Sequence, residues 1–400
     1  MPKHSDPPKP TKAEIAARDQ ALAHAGGPAP PAPAAGFESN AGDRPPDAGF
    51  AAIVGQQQAI AALRRALARN RLPHAILFHG PIGVGKATTA GILAQALNCA
   101  ERGFADACGV CASCRKVARG LHPDVLWVAP QRGSIRLGQV SPRRSEASDA
   151  EPANEPIVSW VGYRPYEGRR RVVVIDDAHT MNASAQNALL KTLEEPPPSS
   201  MLVLVTPAPG SLLPTIRSRC QPLRFQPLPP ALLRQHLEEV GGLPGEEARL
   251  RAALAAGSLG RAIDLDLDDH GERRDVAQAA VEDARDGGAA LLATAETLLA
   301  AGAGERKIDQ AASAIAAVRD VLRDLLVLAA ADDEALVANL DRAAEWRDWA
   351  AKIEPDALIA ALDAVQDAGE RLRSLPPPNA RLTVEEALIG VGAALRGGRR

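Results

Sequence analysis

The chain has 400 residues, 46% of them apolar, with 46 Lys and Arg set against 49 Asp and Glu for a formal net charge of -3. That length exceeds one ordinary core and predicts two or three domains, while the balanced charge excludes a global basic field for nucleic acid. An aromatic content of 3% argues against extended stacking platforms, and with no run of about 18 apolar residues no membrane-spanning helix is expected.

In chain order, residues 1–48 are rich in Pro and Ala, with the run Gly27-Pro-Ala-Pro-Pro-Ala-Pro-Ala-Ala35. They bury too little apolar surface to order themselves and read as a disordered tail, with one or two helical turns available over Thr11–Ala25. The opening Met1-Pro-Lys-His lacks the apolar stretch of a secretory signal, so the reading is a cytoplasmic protein.

From Phe50 the texture alternates between strand-like and helical segments. Ile60, Leu63 and Leu67 recur at helical spacing across Gln56–Arg69, and Ala75-Ile-Leu-Phe78 is a short apolar strand. It runs into Gly80-Pro-Ile-Gly-Val-Gly-Lys-Ala-Thr88. The pattern G-x-x-x-x-G-K-[ST] closes backbone N–H groups around phosphates, offers a lysine to the β/γ charge and holds Mg²⁺ on a hydroxyl. Gly80, Gly83, Gly85 and Lys86 suit that loop, but Ala87 stands where the hydroxyl belongs. Thr88 is one residue further along the helix predicted over Ala87–Leu97, so its side chain is turned by about 100°.

Cys99 is followed by Cys108-Gly-Val-Cys111-Ala-Ser-Cys114. Spacings of C-x₈-C-x₂-C-x₂-C let four thiolates converge on a tetrahedral, closed structural Zn²⁺; a redox role or disulfides are the alternatives. Cys220, far along the chain, reads as a small packed residue.

His122–Val128 predicts a strand with Val125 and Trp127 on one face, and the polar stretch Pro130–Pro156 a mobile surface insertion. Arg171-Val-Val-Val-Ile-Asp-Asp177 is a β-branched run ending in acid. It reads as a buried parallel strand that delivers Asp176 and Asp177 to its C-terminal edge, where ligands bind in open α/β sheets. A helix follows over Asn182–Glu195, capped by Asn182 or Ser184 and stopped at Pro196. Met201–Val205 is a further buried strand with Thr206 at its tip, and a short helical stretch leads to Ser218-Arg219-Cys220. Beyond Pro227 the pattern is helical: a small helical region over Pro230–Ile263, a linker-like acidic run Asp264–Asp269, and a bundle from about Val276 to Leu395. Trp346, Trp349, Leu358 and Leu362 read as core or subunit contacts. Two basic clusters, Arg64/Arg65/Arg69/Arg71 and Arg169-Arg170-Arg171, suit either local DNA contacts or a solvated face.

Leu72-Pro-His-Ala-Ile-Leu-Phe78, the four-cysteine insertion, Asn187-Ala-Leu-Leu-Lys-Thr-Leu-Glu-Glu-Pro196 and Ser218-Arg219-Cys220, in this order, resemble the AAA+ clamp-loader ATPases of bacterial DNA polymerase III. The resemblance runs from about Phe50 to Phe225 and continues more weakly to the C-terminus. It implies an α/β RecA-like P-loop domain over 49–226 with a zinc module at 99–114, a helical lid over 227–272 and an all-helical collar over 273–400. It also implies assembly with other loader subunits, gamma/tau and delta, into a hetero-pentamer that places a sliding clamp on primed DNA. By resemblance Arg219 is an arginine finger acting in trans on a neighbour's ATP, and Arg261 sits at a lid sensor position, a salt bridge being the alternative. Asp177 stands where active relatives carry a glutamate, and Pro207 where they carry a second polar residue beside Thr206. With Ala87, these departures imply weak or absent ATP/Mg²⁺ in the chain's own site. The expectation is a non-motor subunit of the polymerase holoenzyme, with an autonomous gamma/tau-type ATPase motor and a zinc-bearing DNA adaptor as alternatives.

Overall fold

The computed structural model describes residues 49–101, 106–142, 155–287, 290–302, 304, 306–331, 336–372 and 378–397. The tail expected over 1–48, with its helical turns, lies outside the described residues, as does the 143–154 part of the expected insertion. The chain divides into two compact units, Met1–Pro227 and Leu228–Arg400.

The first unit is built on five strands: β1 (Ala75–His79), β2 (Val125–Val128), β3 (Arg171–Ile175), β4 (Ser200–Thr206) and β5 (Gln221–Arg224). Their order is β2-β3-β4-β1-β5, and every neighbouring pair is parallel. β3 and β4 are buried along their whole length, which is why they read as unbroken apolar runs. Alternation of side chains sends Phe78, Val172, Val174 and Val203 into one core and Leu77, Val173, Ile175, Leu202 and Leu204 into the other. In β2, Val125 and Trp127 share the first of these faces, as the sequence predicts.

β5 was not legible in the sequence. It lies at the sheet edge, its residues are mostly exposed and it contains Pro222. An edge strand tolerates proline and needs no apolar run.

The helices of this unit are α1 (Gln57–Ala68), α2 (Lys86–Asn98), α3 (Ala112–Ala118), α4 (Leu137–Val140), α5 (Ile157–Val161), α6 (Ala183–Glu194) and α7 (Pro214–Arg217). Asn182 caps α6, its side chain accepting the N–H of Ala185. The described part of the expected mobile insertion, 130–142, is instead packed. The N–H of Ile135 donates to Thr180 O at 3.2 Å, its carbonyl accepts from Asn182 N at 3.1 Å, and Ile135 and Val140 are fully buried. Two apolar residues spaced through a polar stretch were enough to anchor it.

The second unit is helical throughout its described residues: α8 (Pro230–Glu239), α9 (Gly245–Leu254), α10 (Leu259–Asp264), α11 (Leu267–Asp286), α12 (Ala290–Ala301), α13 (Lys307–Ala330), α14 (Ala343–Ala350), α15 (Pro355–Leu372) and α16 (Ala380–Gly397). The acidic run Asp264–Asp269 is not a linker. Asp266 caps α11, accepting from the N–H groups of Asp268 and Asp269, and acidic residues suit a helix N-terminus. Trp346 and Leu358 are fully buried, and Trp349 and Leu362 pack against the same core. The indole N–H of Trp346 donates to Gln278 Oε1 at 3.0 Å. The buried carboxylate of Asp324 accepts from the backbone N–H groups of Ala338 and Asn339 and from Asn339 Nδ2. Among the described residues no helix is long and apolar enough to cross a membrane.

Candidate functional site

The register of the sheet assembles the first part of the site. His79 pairs with Thr206 and Ile175 with Leu204, so the loop after β1, the acids after β3 and the tip of β4 emerge at one edge, the C-terminal edge where α/β sheets bind ligands.

Gly80 has φ +145°, and a Cβ there would lie 2.2 Å from Phe225 O, so only glycine lets β5 approach this closely. Gly83 and Gly85 also have positive φ, and Gly85 turns the chain into α2. Lys86 opens that helix and is buried. Its ammonium donates to Gly80 O at 2.8 Å and to Pro81 O. Burial lowers its pKa to about 8 against the opposing pull of Asp176 and Asp177. Ala87 has no hydroxyl, Thr88 is exposed, and Thr89 Oγ1 donates to Gly85 O at 2.7 Å. Thus the next two threonines do not replace the missing group: one faces solvent and the other is held by the helix backbone.

Burial, reinforced by the charge of Asp177, raises the pKa of Asp176. Its Oδ1 accepts the N–H of Asp177 at 3.0 Å. Asp177 is in the left-handed region, φ 46°, with Oδ1 3.9 Å from His179 Nδ1. Thr206 is fully buried, and its hydroxyl oxygen accepts from Ala208 N at 3.0 Å. The loop lysine and the acid pair are therefore brought together at one edge of the sheet, close enough for their charges to act on one another.

Arg219 lies elsewhere. Ile76 pairs with Gln221 and His79 with Arg224, so Arg219 precedes β5 at the N-terminal edge whereas Gly80 follows β1 at the C-terminal edge. At roughly 3.3 Å per residue the two ends are about 20 Å apart along the strand direction. Arg219 Nη2 pairs with Glu194 Oε1 at 2.8 Å, and Nη1 donates to Thr215 O at 3.0 Å. Sequence spacing alone does not pair Glu194 with Arg219; the end of α6 brings it there. In the second unit Arg261 Nη2 is 3.5 Å from Asp320 Oδ2 on α13, which supplies the carboxylate for the salt-bridge alternative.

The four cysteines converge. The Sγ atoms of Cys99, Cys108, Cys111 and Cys114 all lie within 4.8 Å of one another, and the pairs Cys99–Cys111 and Cys108–Cys114 are 3.9 Å apart. A tetrahedron with Zn–S bonds of about 2.3 Å requires S···S distances of about 3.8 Å. The N–H of Cys111 donates to Cys108 Sγ at 3.3 Å and that of Cys114 to Cys111 Sγ at 3.4 Å, the kind of contact that orients metal-binding thiolates. No pair is disulfide-bonded. The group fits a closed, four-thiolate zinc site. Cys220 is buried apart from it, and burial pushes its thiol up to about 11.

Glycine-rich loop, acid pair and five-stranded parallel sheet together have the arrangement of a P-loop α/β domain. Comparison with known proteins narrows the class. Residues 55–229 match the family described as "DNA polymerase III, delta subunit". Curated relatives include the gamma/tau subunit of Mycobacterium tuberculosis (strain ATCC 25618 / H37Rv), 38% identical over 193 residues, which cover 48% of this chain and 31% of that protein. The delta' subunit of Bacillus subtilis (strain 168) is 36% identical over 214 residues, 54% of this chain and 60% of that one. The tau subunit of Salmonella typhimurium is 32% identical over 349 residues, 85% of this chain and 50% of that one. By these matches the chain is similar to DNA polymerase III subunits of the gamma/tau and delta' kinds. It spans between 31% and 60% of the length of these relatives.

Proposed function

We propose that this chain is a delta-prime-type subunit of the clamp loader, which completes a neighbouring subunit's ATP site through Arg219 and braces the assembly. The observation that carries this reading is the position of Arg219, at the sheet edge opposite the chain's own phosphate loop and exposed enough to meet another molecule. A guanidinium beside a γ-phosphate stabilises the charge that spreads over its oxygens in the transition state. Arginine suits the role because its planar charge is permanent.

The chain's own site supports the complementary half of the reading. Gly80, Gly83, Gly85 and Lys86 retain the phosphate cradle, Asp176 retains the acid, and Ala87 withholds a magnesium ligand. Asp177 is one methylene shorter than the glutamate it replaces. Nucleotide is held weakly there and turned over slowly or not at all. The partners under this proposal are gamma/tau and delta subunits in a hetero-pentamer, with clamp and primed DNA reached through the complex. Residues 227–272 act as lid and 273–400 as the collar that joins subunits, and Cys99, Cys108, Cys111 and Cys114 hold structural Zn²⁺.

A gamma/tau-type motor is the competing reading, favoured by the retained Lys86 and Asp176 and by the gamma/tau relatives. Reconstitution of the loader with Arg219→Ala separates the two. The delta-prime reading expects normal assembly with the ATPase of one neighbouring site reduced about a thousandfold in single turnover. An unchanged rate removes the finger, and turnover of about one per second by the isolated chain establishes the motor.

A further inference from the structure

The sequence has two tyrosines, Tyr163 and Tyr166, and the structure places both in one exposed loop of the first unit, 44% and 64% accessible. That loop, residues 162–170, is pinned from beneath. The fully buried carboxylate of Asp124 accepts the N–H groups of Tyr166, Glu167 and Gly168 at 2.6, 2.9 and 2.7 Å. Asn98 Oδ1 accepts those of Arg169 and Arg170 at 2.9 and 3.0 Å. A Cβ on Gly168 would lie 2.5 Å from Asn98 Oδ1, so the chain passes directly over that amide.

The loop is also tied to the cysteine module. Lys116 on α3 reaches Glu167 at 2.6 Å, and Ser113 Oγ donates to Asn98 O at 2.8 Å. Residues 112–121 and 162–170 together carry six cations, Arg115, Lys116, Arg119, Arg164, Arg169 and Arg170, and one acid, Glu167. Lys116 takes up that acid. Among the described residues the five arginines form no ion pair. The third arginine of the basic run, Arg171, does not belong to this surface: it is buried, donates to Trp160 O at 2.7 Å and stacks on the Trp160 ring. A local excess of positive charge thus stands on a chain whose net charge is -3.

We propose that this face, loop 162–170 beside α3, binds single-stranded DNA, with Arg164, Arg169 and Arg170 on phosphates and Tyr166 stacked under a base. Arginines that have no carboxylate partner supply sequence-independent attraction to a phosphate backbone. A tyrosine ring next to them adds a π face that every base can use. Fixing five consecutive backbone N–H groups on two buried side chains removes the entropy that a free loop would lose on binding. The site is independent of the finger role of Arg219 and operates in the isolated chain.

The test is fluorescence anisotropy of the purified, zinc-loaded full chain with labelled oligo(dT) of about 20 nucleotides and with duplex of equal length, over a salt series. Single-strand binding is expected to be the tighter and to fall with salt. Arg169→Ala with Arg170→Ala flattens the logarithmic salt slope by about 1.4, two contacts at about 0.7 each for single strands. Tyr166→Ala weakens binding about tenfold and Tyr166→Phe leaves it unchanged. Arg115→Ala with Arg119→Ala, on the far side of the Lys116–Glu167 tie, provides an independent loss of slope, and melting and zinc content of every variant exclude misfolding. Absence of binding at about 50 mM salt, duplex bound as tightly as single strand, indifference to the loop variants, or equal displacement by polyglutamate overturns the proposal.

Discussion

Arg219 and Glu194 are joined at 2.8 Å, Nη2 to Oε1, so the proposed finger rests on a carboxylate of its own chain. Both side chains are about a third or more exposed, 35% and 49%, and such a pair contributes at most about 1 kcal/mol. Glu194→Gln is therefore expected to leave the melting temperature unchanged. It releases Arg219 for a neighbour, so the ATPase of the reconstituted loader stays level or rises up to about fivefold, the equivalent of 1 kcal/mol. A large fall in that ATPase would mean that Glu194 holds the arginine in its working position.

The sulfur tetrahedron predicts one equivalent of zinc per chain by elemental analysis. Cys111→Ser removes a ligand whose Sγ also accepts the N–H of Cys114, so metal content falls towards zero and the unfolding midpoint drops. Chelation of the parent protein reproduces the drop, since metal binding to such a site is folding free energy. Unchanged metal and melting would overturn the assignment.

Lys86 predicts a pH dependence of stability. Its folded pKa is about 8 against 10.5 in the unfolded chain, so between those values the unfolded state binds the extra proton and stability rises with pH. Below about 8 the buried ammonium imposes its full penalty. Lys86→Met, followed by denaturant unfolding from pH 7 to 10, is expected to lack this rise, the parent gaining up to a few kcal/mol over the variant across the window. Parallel curves would show that the lysine is solvated.

Ala87→Ser restores the hydroxyl of the phosphate loop. If its absence limits the site, magnesium-dependent ATP affinity of the isolated chain rises about tenfold or more, the scale of one charge-assisted contact. No gain, measured by calorimetry with and without Mg²⁺, would assign the defect to Asp177 and Pro207.

In the helical unit, Asp324 accepts three donors from the turn at Ala338 and Asn339. Asp324→Ala leaves them unsatisfied in a buried position and is expected to cost about 3 kcal/mol by urea unfolding. A loss under about 1 kcal/mol would imply that water reaches the turn.

The local geometry written in contiguous residues was legible from the sequence. The loop Gly80–Thr88, the acids closing β3 and the cysteine spacing each obey a local rule: phosphate cradling, strand burial and tetrahedral ligation act over a few residues. Buried strands and amphipathic helices were legible for the same reason. Ile135 and Val140, β5 with Pro222, and the capping of α11 by Asp266 were not, because a lone apolar residue, an exposed edge strand and an acidic cap resemble loop until a partner is in place. Only the tertiary structure showed that Arg171 is buried while Arg169 and Arg170 are not, and gave Arg261 its carboxylate on α13. By pairing β5 in parallel with β1, it also decided that Arg219 stands one strand length from the loop its own chain carries. Sequence determines which groups are available; strand register determines which of them share an edge, because parallel pairing fixes the direction in which each strand delivers its ends.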